Sequence, residues 1–250
     1  MRRAIALIEL IFAMVIIAIT LISVPNLISK TAKASNSAID QEAISNAASY
    51  LDMIMSNYWD EADSDPKIGN PILTVENEDS ALKEISKNVL GVNVKLGKRV
   101  GAPLNSSRLF GIDSSGNRIK ATKDSKLGLE PTDKEPNDID DYNNRSVQLT
   151  KTVENTTAID GDYKDNKIQL STKVNYIADA SNPVNYNSNS INFDNPFANK
   201  INQSTNIKAI TLTLTSPNDK NKKIVLRAFS CNIGSSTLRE KKFWKKHLLW

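Results

Sequence analysis

Residues 5–24, Ile-Ala-Leu-Ile-Glu-Leu-Ile-Phe-Ala-Met-Val-Ile-Ile-Ala-Ile-Thr-Leu-Ile-Ser-Val, are twenty mostly apolar residues broken by one charge, Glu9. A helix rises about 1.5 Å per residue, so the stretch reaches about 30 Å, the thickness of the hydrocarbon core of a bilayer. The sequence predicts a membrane-spanning helix. A carboxylate inside such a helix costs about 2.5–3.5 kcal/mol on insertion scales and marks a function with a cationic partner. Two readings of Glu9 are open. It meets a positive charge within the bilayer, or, lying five residues into the span, it snorkels to the cytoplasmic headgroups.

Ahead of the span stands a short basic leader, Met1-Arg2-Arg3-Ala4. A secretory signal carries its small-residue cleavage site after the apolar region. Here the small residue Ala4 precedes it, and no A-x-A-like site closes the far end before Pro25-Asn26. Cleavage after Ala4 would keep the helix and create a new amine at Ile5, four residues from Glu9. Arg2 and Arg3 predict a cytoplasmic N-terminus, with residues beyond about 26 exported.

The run Arg-Arg-Ala-Ile-Ala-Leu-Ile-Glu-Leu-Ile resembles the class III signal of type IV pilins and pseudopilins, with Ala4 where that family usually has Gly and Ile5 where it has Phe. The resemblance implies cleavage between Ala4 and Ile5 and N-methylation by a prepilin peptidase. It also implies residence in inner-membrane lipid with a periplasmic C-terminal domain, and assembly with other pilin or pseudopilin subunits. In such an assembly the Ile5 ammonium of an incoming subunit pairs with Glu9 of the preceding one, because low dielectric strengthens the attraction.

Pro25 removes a backbone donor and should kink the helix without ending it. Beyond it Ile28, Ala32, Ser35, Ile39, Ala43, Ala47, Leu51, Ile54 and Tyr58 recur every three or four residues, an amphipathic stripe. The expected fold is α+β: a long bent N-terminal helix, its first half in the membrane, packed by a C-terminal antiparallel β-sheet with long loops. The segments expected are a leader at 1–4, a transmembrane half-helix at 5–25, an amphipathic half at 26–58, a globular domain at 59–234 and a basic aromatic tail at 235–250.

Within the globular domain, Asp79-Ser80 predicts an N-cap for a short helix over 81–89. The Gly-punctuated stretch 91–122 predicts short strands and turns, and the acid-rich 123–144 a long, solvated surface loop. After residue 146 the apolar period becomes two, at Val147-Leu149, Ile168 to Tyr176, Ile210 to Leu214 and Ile224 to Ala228. These predict half-buried antiparallel strands, with 207–215 and 222–231 forming a hairpin around Ser216-Pro-Asn-Asp-Lys-Asn-Lys222. Residues 178–206, rich in Asn and Ser, predict another loop.

Chemistry is sparse. Of the formal net charge of +4, two units come from Arg2 and Arg3 and four from the five basic residues of 239–250 set against Glu240, so the remaining body carries −2. That balance gives little support to a nucleic-acid surface. One cysteine, Cys231, and one histidine, His247, assemble neither a disulfide nor a zinc cluster, and Cys231 is expected to be buried as a small hydrophobe. The acids of 130–141 show no spacing that selects a general acid/base pair. Asp138, Asp140 and Asp141, with Asp160 or Asp162, could offer hard oxygens to Ca²⁺, although Lys164 and Ser171 spoil an EF-hand register. The tail, with Phe243, Trp244 and Trp250 among basic residues, suggests a membrane-surface helix or a DNA contact, or a frayed terminus.

Asp138-Ile-Asp-Asp-Tyr142 and the segments Ile210 to Asp219 and Ile224 to Ile233 resemble minor pilins of the mannose-sensitive haemagglutinin (MSHA) type. This implies a non-enzymatic minor pilin of a type IV pilus or a pilus-priming complex. A type II secretion pseudopilin, and a permanently anchored periplasmic binding or enzymatic domain, remain the alternatives.

Overall fold

The computed structural model describes residues 2–63, 70–103, 106–131, 133–154, 163–179, 195, 197, 200–216 and 219–235, without the side chains of 2–7, 81, 150–154, 163–166, 216 and 219–222. The chain divides into two compact units, Met1–Asn46 and Ala47–Trp250. Helix α1 (Arg2–Met55) forms the first and opens the second, with Pro25 inside it. Its described apolar residues from Ile8 to Ile28 are exposed, and over Ile8–Met55 it is long and apolar enough to cross a membrane.

In the second unit the expected stripe holds where it reaches Ala47, Leu51 and Ile54, all buried. Tyr58, placed on the same stripe by periodicity, is exposed, because the helix has stopped at Met55 and Tyr58 instead bridges Asp138 in parallel. A four-stranded antiparallel sheet runs in chain order: β3 (Ser146–Glu154), β4 (Tyr163–Ile177), β5 (Ile207–Ser216) and β6 (Asp219–Cys231). The period of two does what a half-buried strand requires. Ile168, Leu170, Thr172, Val174 and Tyr176 of β4 are buried, whereas Lys167, Gln169, Ser171 and Lys173 are exposed. The predicted hairpin is present, with Ile207 opposite Cys231 and Leu214 opposite Ile224.

The predicted helix over 81–89 is not. A 3-10 turn covers Ser80–Leu82, and β1 (Glu84–Val89) then pairs with β2 (Val92–Arg99) as a separate two-stranded sheet. Its turn, Leu90-Gly91, takes positive φ at both residues, the geometry that matches a hairpin's twist, and Asn88 Oδ1 accepts from Gly91 N at 3.0 Å. That local closure, with β-branched Val89, Val92 and Val94 beside it, outcompetes the helical spacing of Leu82, Ile85 and Val89.

Two further expectations are corrected. The acidic stretch is not wholly a solvated loop, since Asp138, Ile139, Asp140, Asp141 and Tyr142 are buried in and around a 3-10 turn at Asp140–Tyr142. Cys231 is half-buried rather than buried, and partial burial pushes its thiol up.

The loop 70–75 is tied to the end of β6 by one side chain. Asn232 accepts from Leu73 N at 2.9 Å and donates to Leu73 O at 2.7 Å, imitating a strand partner, and it also donates to Asn206 Oδ1 at 3.0 Å. Gly234 follows at φ +63°, where a Cβ would press on Ile72 at 3.1 Å. A side chain there would force the two segments apart.

Candidate functional site

Two sets of residues stand out, one in each unit. In the first, Ala4 and Ile5 lie within α1, although their side chains are outside the described residues. Glu9 is exposed among Ile8, Leu10, Ile11 and Phe12. Thr20, Ser23, Asn26 and Thr31 satisfy themselves on the helix's own carbonyls. Thr20 Oγ1 donates to Ile17 O at 2.9 Å, Ser23 Oγ to Ile19 O at 2.7 Å, Asn26 Nδ2 to Ile22 O at 3.2 Å and Thr31 Oγ1 to Leu27 O at 2.9 Å. An ionised carboxylate cannot follow them, because it has nothing to donate to a helix carbonyl. In an apolar medium Glu9 must find its donor off its own helix.

The second set is a buried charge cluster that sequence reasoning missed. Lys208 of β5 is fully buried. Its Nζ donates to Trp59 O at 2.7 Å, Asp60 Oδ2 at 2.9 Å and Asp140 Oδ1 at 2.7 Å. The indole of Trp59 lies 4.3 Å from Nζ and the ring of Tyr176, opposite Lys208 on β4, 5.6 Å. All three ammonium protons are used, and both rings offer a π face to the cation. Burial alone would pull this ammonium down, but Asp60 and Asp140 outweigh it and hold it above the ordinary lysine value.

The two carboxylates are held differently. Asp60 accepts from Ala62 N at 3.2 Å, Thr122 N at 2.9 Å and Thr122 Oγ1 at 3.1 Å besides Lys208. Thr122 is itself fixed by Tyr176, whose hydroxyl donates to Thr122 O at 2.6 Å and is pushed up by burial. Asp140, by contrast, has an Oδ2 with no ordinary donor. What it meets is the carboxyl of Asp138, within hydrogen-bonding reach and pushed up to about 9, first by burial and then by the charge of Asp140. Asp138 therefore carries a proton at pH 7. Asp141 points the other way, Oδ2 accepting from Asn137 N at 2.8 Å and Asp138 N at 3.3 Å.

The structure thus brings Asp138, Asp140 and Asp141 together but gives them separate tasks. The oxygens placed to share a cation among the described residues belong to Glu61, Glu130 and Asp133, one from each within 4.8 Å of the others. Asp160, Asp162 and the tail at 236–250 lie outside the described residues. One signal could have found Lys208, since the alternation of Ile210, Leu212 and Leu214 continues backward onto it and places a lysine on the core face.

Asp63, also buried, supplies a pH test. Burial, then the charge of Asp60, pushes its carboxyl up to about 7. A folded-state value above the unfolded one gives stabilisation that is complete below about pH 4 and is lost as pH rises through about 7. Relative to Asp63→Asn, the wild-type protein should lose stability by about 1 kcal/mol per pH unit across that window, read from urea midpoints at successive pH values. Parallel pH profiles for the two proteins would refute the assignment.

Comparison of the chain with protein-family models, with curated proteins and with solved structures gives no match.

Proposed function

We propose that this chain is a minor type IV pilin-like subunit of the bacterial inner membrane, cut after Ala4 and N-methylated at Ile5 by a prepilin peptidase. It is then built through α1 into a pilus or a pilus-priming complex. The observation that carries this reading is Glu9, a carboxylate without a local outlet on a helix whose apolar residues are exposed. Processing supplies what the carboxylate lacks, an ammonium at Ile5, which an adjacent subunit in a helical bundle can present to it. A pair formed between subunits offsets two burial costs at once and sets the axial register of adjacent helices.

The second unit is read as the periplasmic body, with no catalysis of its own. A type II secretion pseudopilin would use the same helix physics. The rival of a different class is a permanently anchored periplasmic domain, for which Glu9 would reside at the headgroups. The mass of the mature N-terminus separates the classes. A chain beginning at N-methylated Ile5 when a prepilin peptidase is present, and unprocessed when it is absent, is the expected result. Retention of Met1-Arg2-Arg3 in both cases would refute the pilin reading.

A further inference from the structure

Lys208, Asp140, Asp138 and Asp60 form an arrangement that a simple ion pair does not require. An amine and a carboxyl are in contact, a second carboxyl touches the first, a third carboxyl touches the amine, and aromatic rings exclude water. We infer that Lys208 and Asp140 form an intramolecular isopeptide bond, the side-chain amide Nζ–Cγ, as an autocatalytic modification of the folded chain.

The parts have distinct roles. Lys208 is the nucleophile and Asp140 the electrophile, already in contact at 2.7 Å through Oδ1. Holding reactants at that range replaces an encounter between free groups with an effectively unimolecular step. Asp60 is the proton acceptor. It already receives a hydrogen bond from Nζ at 2.9 Å, and two donors from Thr122 and one from Ala62 fix its orientation. Asp138 is the general acid, protonated at neutral pH and in contact with the carboxyl to be activated.

The step balances without a co-reactant. Asp60 takes one proton from the Lys208 ammonium while Asp138 passes its proton to the Asp140 carboxylate. The neutral amine attacks Cγ and forms the N–C bond, giving a tetrahedral centre. Asp138 then recovers a proton from the nitrogen, Asp60 gives its proton to the departing hydroxyl, and the C–O bond breaks to release one water. Asp60 and Asp138 end as they began, and an ammonium and a carboxylate have become an amide and water. No electrons are gained or lost. Closing the bond replaces the buried Lys208–Asp140 ion pair by a neutral amide, and Asp60, which stays a carboxylate, keeps its donors from Thr122 and Ala62.

The bond would join Asp140 to β5 across 68 residues of sequence. Peptide mass spectrometry of the full-length chain, purified in detergent and denatured before digestion, tests this directly. Expected are loss of tryptic cleavage after Lys208, and recovery of the Lys208 and Asp140 peptides as one species lighter than their sum by one water. Cleavage after Lys208 with the two peptides recovered separately would overturn the proposal. So would a link carried by Asp60 instead of Asp140. Asp138→Asn keeps the size of the side chain but cannot supply the proton, so at least a tenfold lower linked fraction is expected at equal folding, judged by circular dichroism. An unchanged linked fraction would overturn the role given to Asp138. None of these readouts depends on membrane assembly, so the outcome is separate from that of the pilin reading.

Discussion

Lys208→Met should destabilise the second unit by about 3–5 kcal/mol, a large share of the 5–15 kcal/mol that usually holds a domain folded. Methionine fills much the same space, so the loss is electrostatic rather than a cavity. Asp60 and Asp140, buried at 0 % exposure each, would be left with neither the cation that both contact nor the amide that its reaction with Asp140 would form. Asp60 keeps its donors from Thr122 and Ala62, whereas Asp140 keeps only its contact with Asp138, so Asp140 carries most of the penalty. Chemical denaturation of the full chain in detergent, followed by the far-ultraviolet signal of the sheet, measures the effect. Lys173→Met is the control. Lys173 is exposed on β4 and its loss should stay within about 0.5 kcal/mol. Equal midpoints for the two variants would mean that the cluster holds no net charge for Lys208 to neutralise.

Glu9→Ala has the larger functional consequence. Cleavage after Ala4 should proceed as before, since the substitution leaves the leader and the scissile residues intact. Incorporation should collapse. An unpaired ammonium at Ile5 would have to enter an apolar bundle without its counter-charge, a penalty of about 3 kcal/mol or more, which is roughly a hundredfold in the assembly equilibrium. Glu9→Gln should fail nearly as badly, because an amide can accept a hydrogen bond but cannot cancel a charge. The measurement is the amount of subunit in sheared filaments relative to the membrane fraction. Normal amounts of Glu9→Ala in filaments would remove the pairing mechanism and leave Glu9 to the headgroups.

The parts of this fold set by short-range periodicity were legible in the sequence. The apolar run from Ile5 to Val24 and the alternation from Ile168 to Tyr176 each follow from one repeat distance, and the helix and the four-stranded sheet appear where they were expected. The hairpin at Glu84–Arg99 was not legible, because Leu82, Ile85 and Val89 satisfy a helical period as well as part of a strand one. What decided it was the conformation of Leu90-Gly91, a turn without the usual Asn or Asp to announce it. The charge cluster was hidden for a different reason. Asp60, Asp140 and Lys208 come from three separated segments, and each alone looks like a solvated residue in a polar stretch. Composition places the acids of 130–141 at the surface. Only the tertiary partner, a lysine on the inward face of β5, makes their burial affordable.

The position of that lysine also bears on how the chain avoids trouble before it is folded. Ile207 to Leu214 is rich in β-branched and aliphatic residues and contains no acid or proline, the composition of a segment that pairs indiscriminately with copies of itself. Its one charge is Lys208, and β6 joins β5 through a hairpin, whereas Asp60 and Asp140 lie 148 and 68 residues away in sequence. Until they arrive, Lys208 is a bare cation that repels a second β5 strand, and it becomes part of the core only when the correct acids are in place. The same side chain thus guards the nascent sheet against self-association and, once neutralised, closes the finished one.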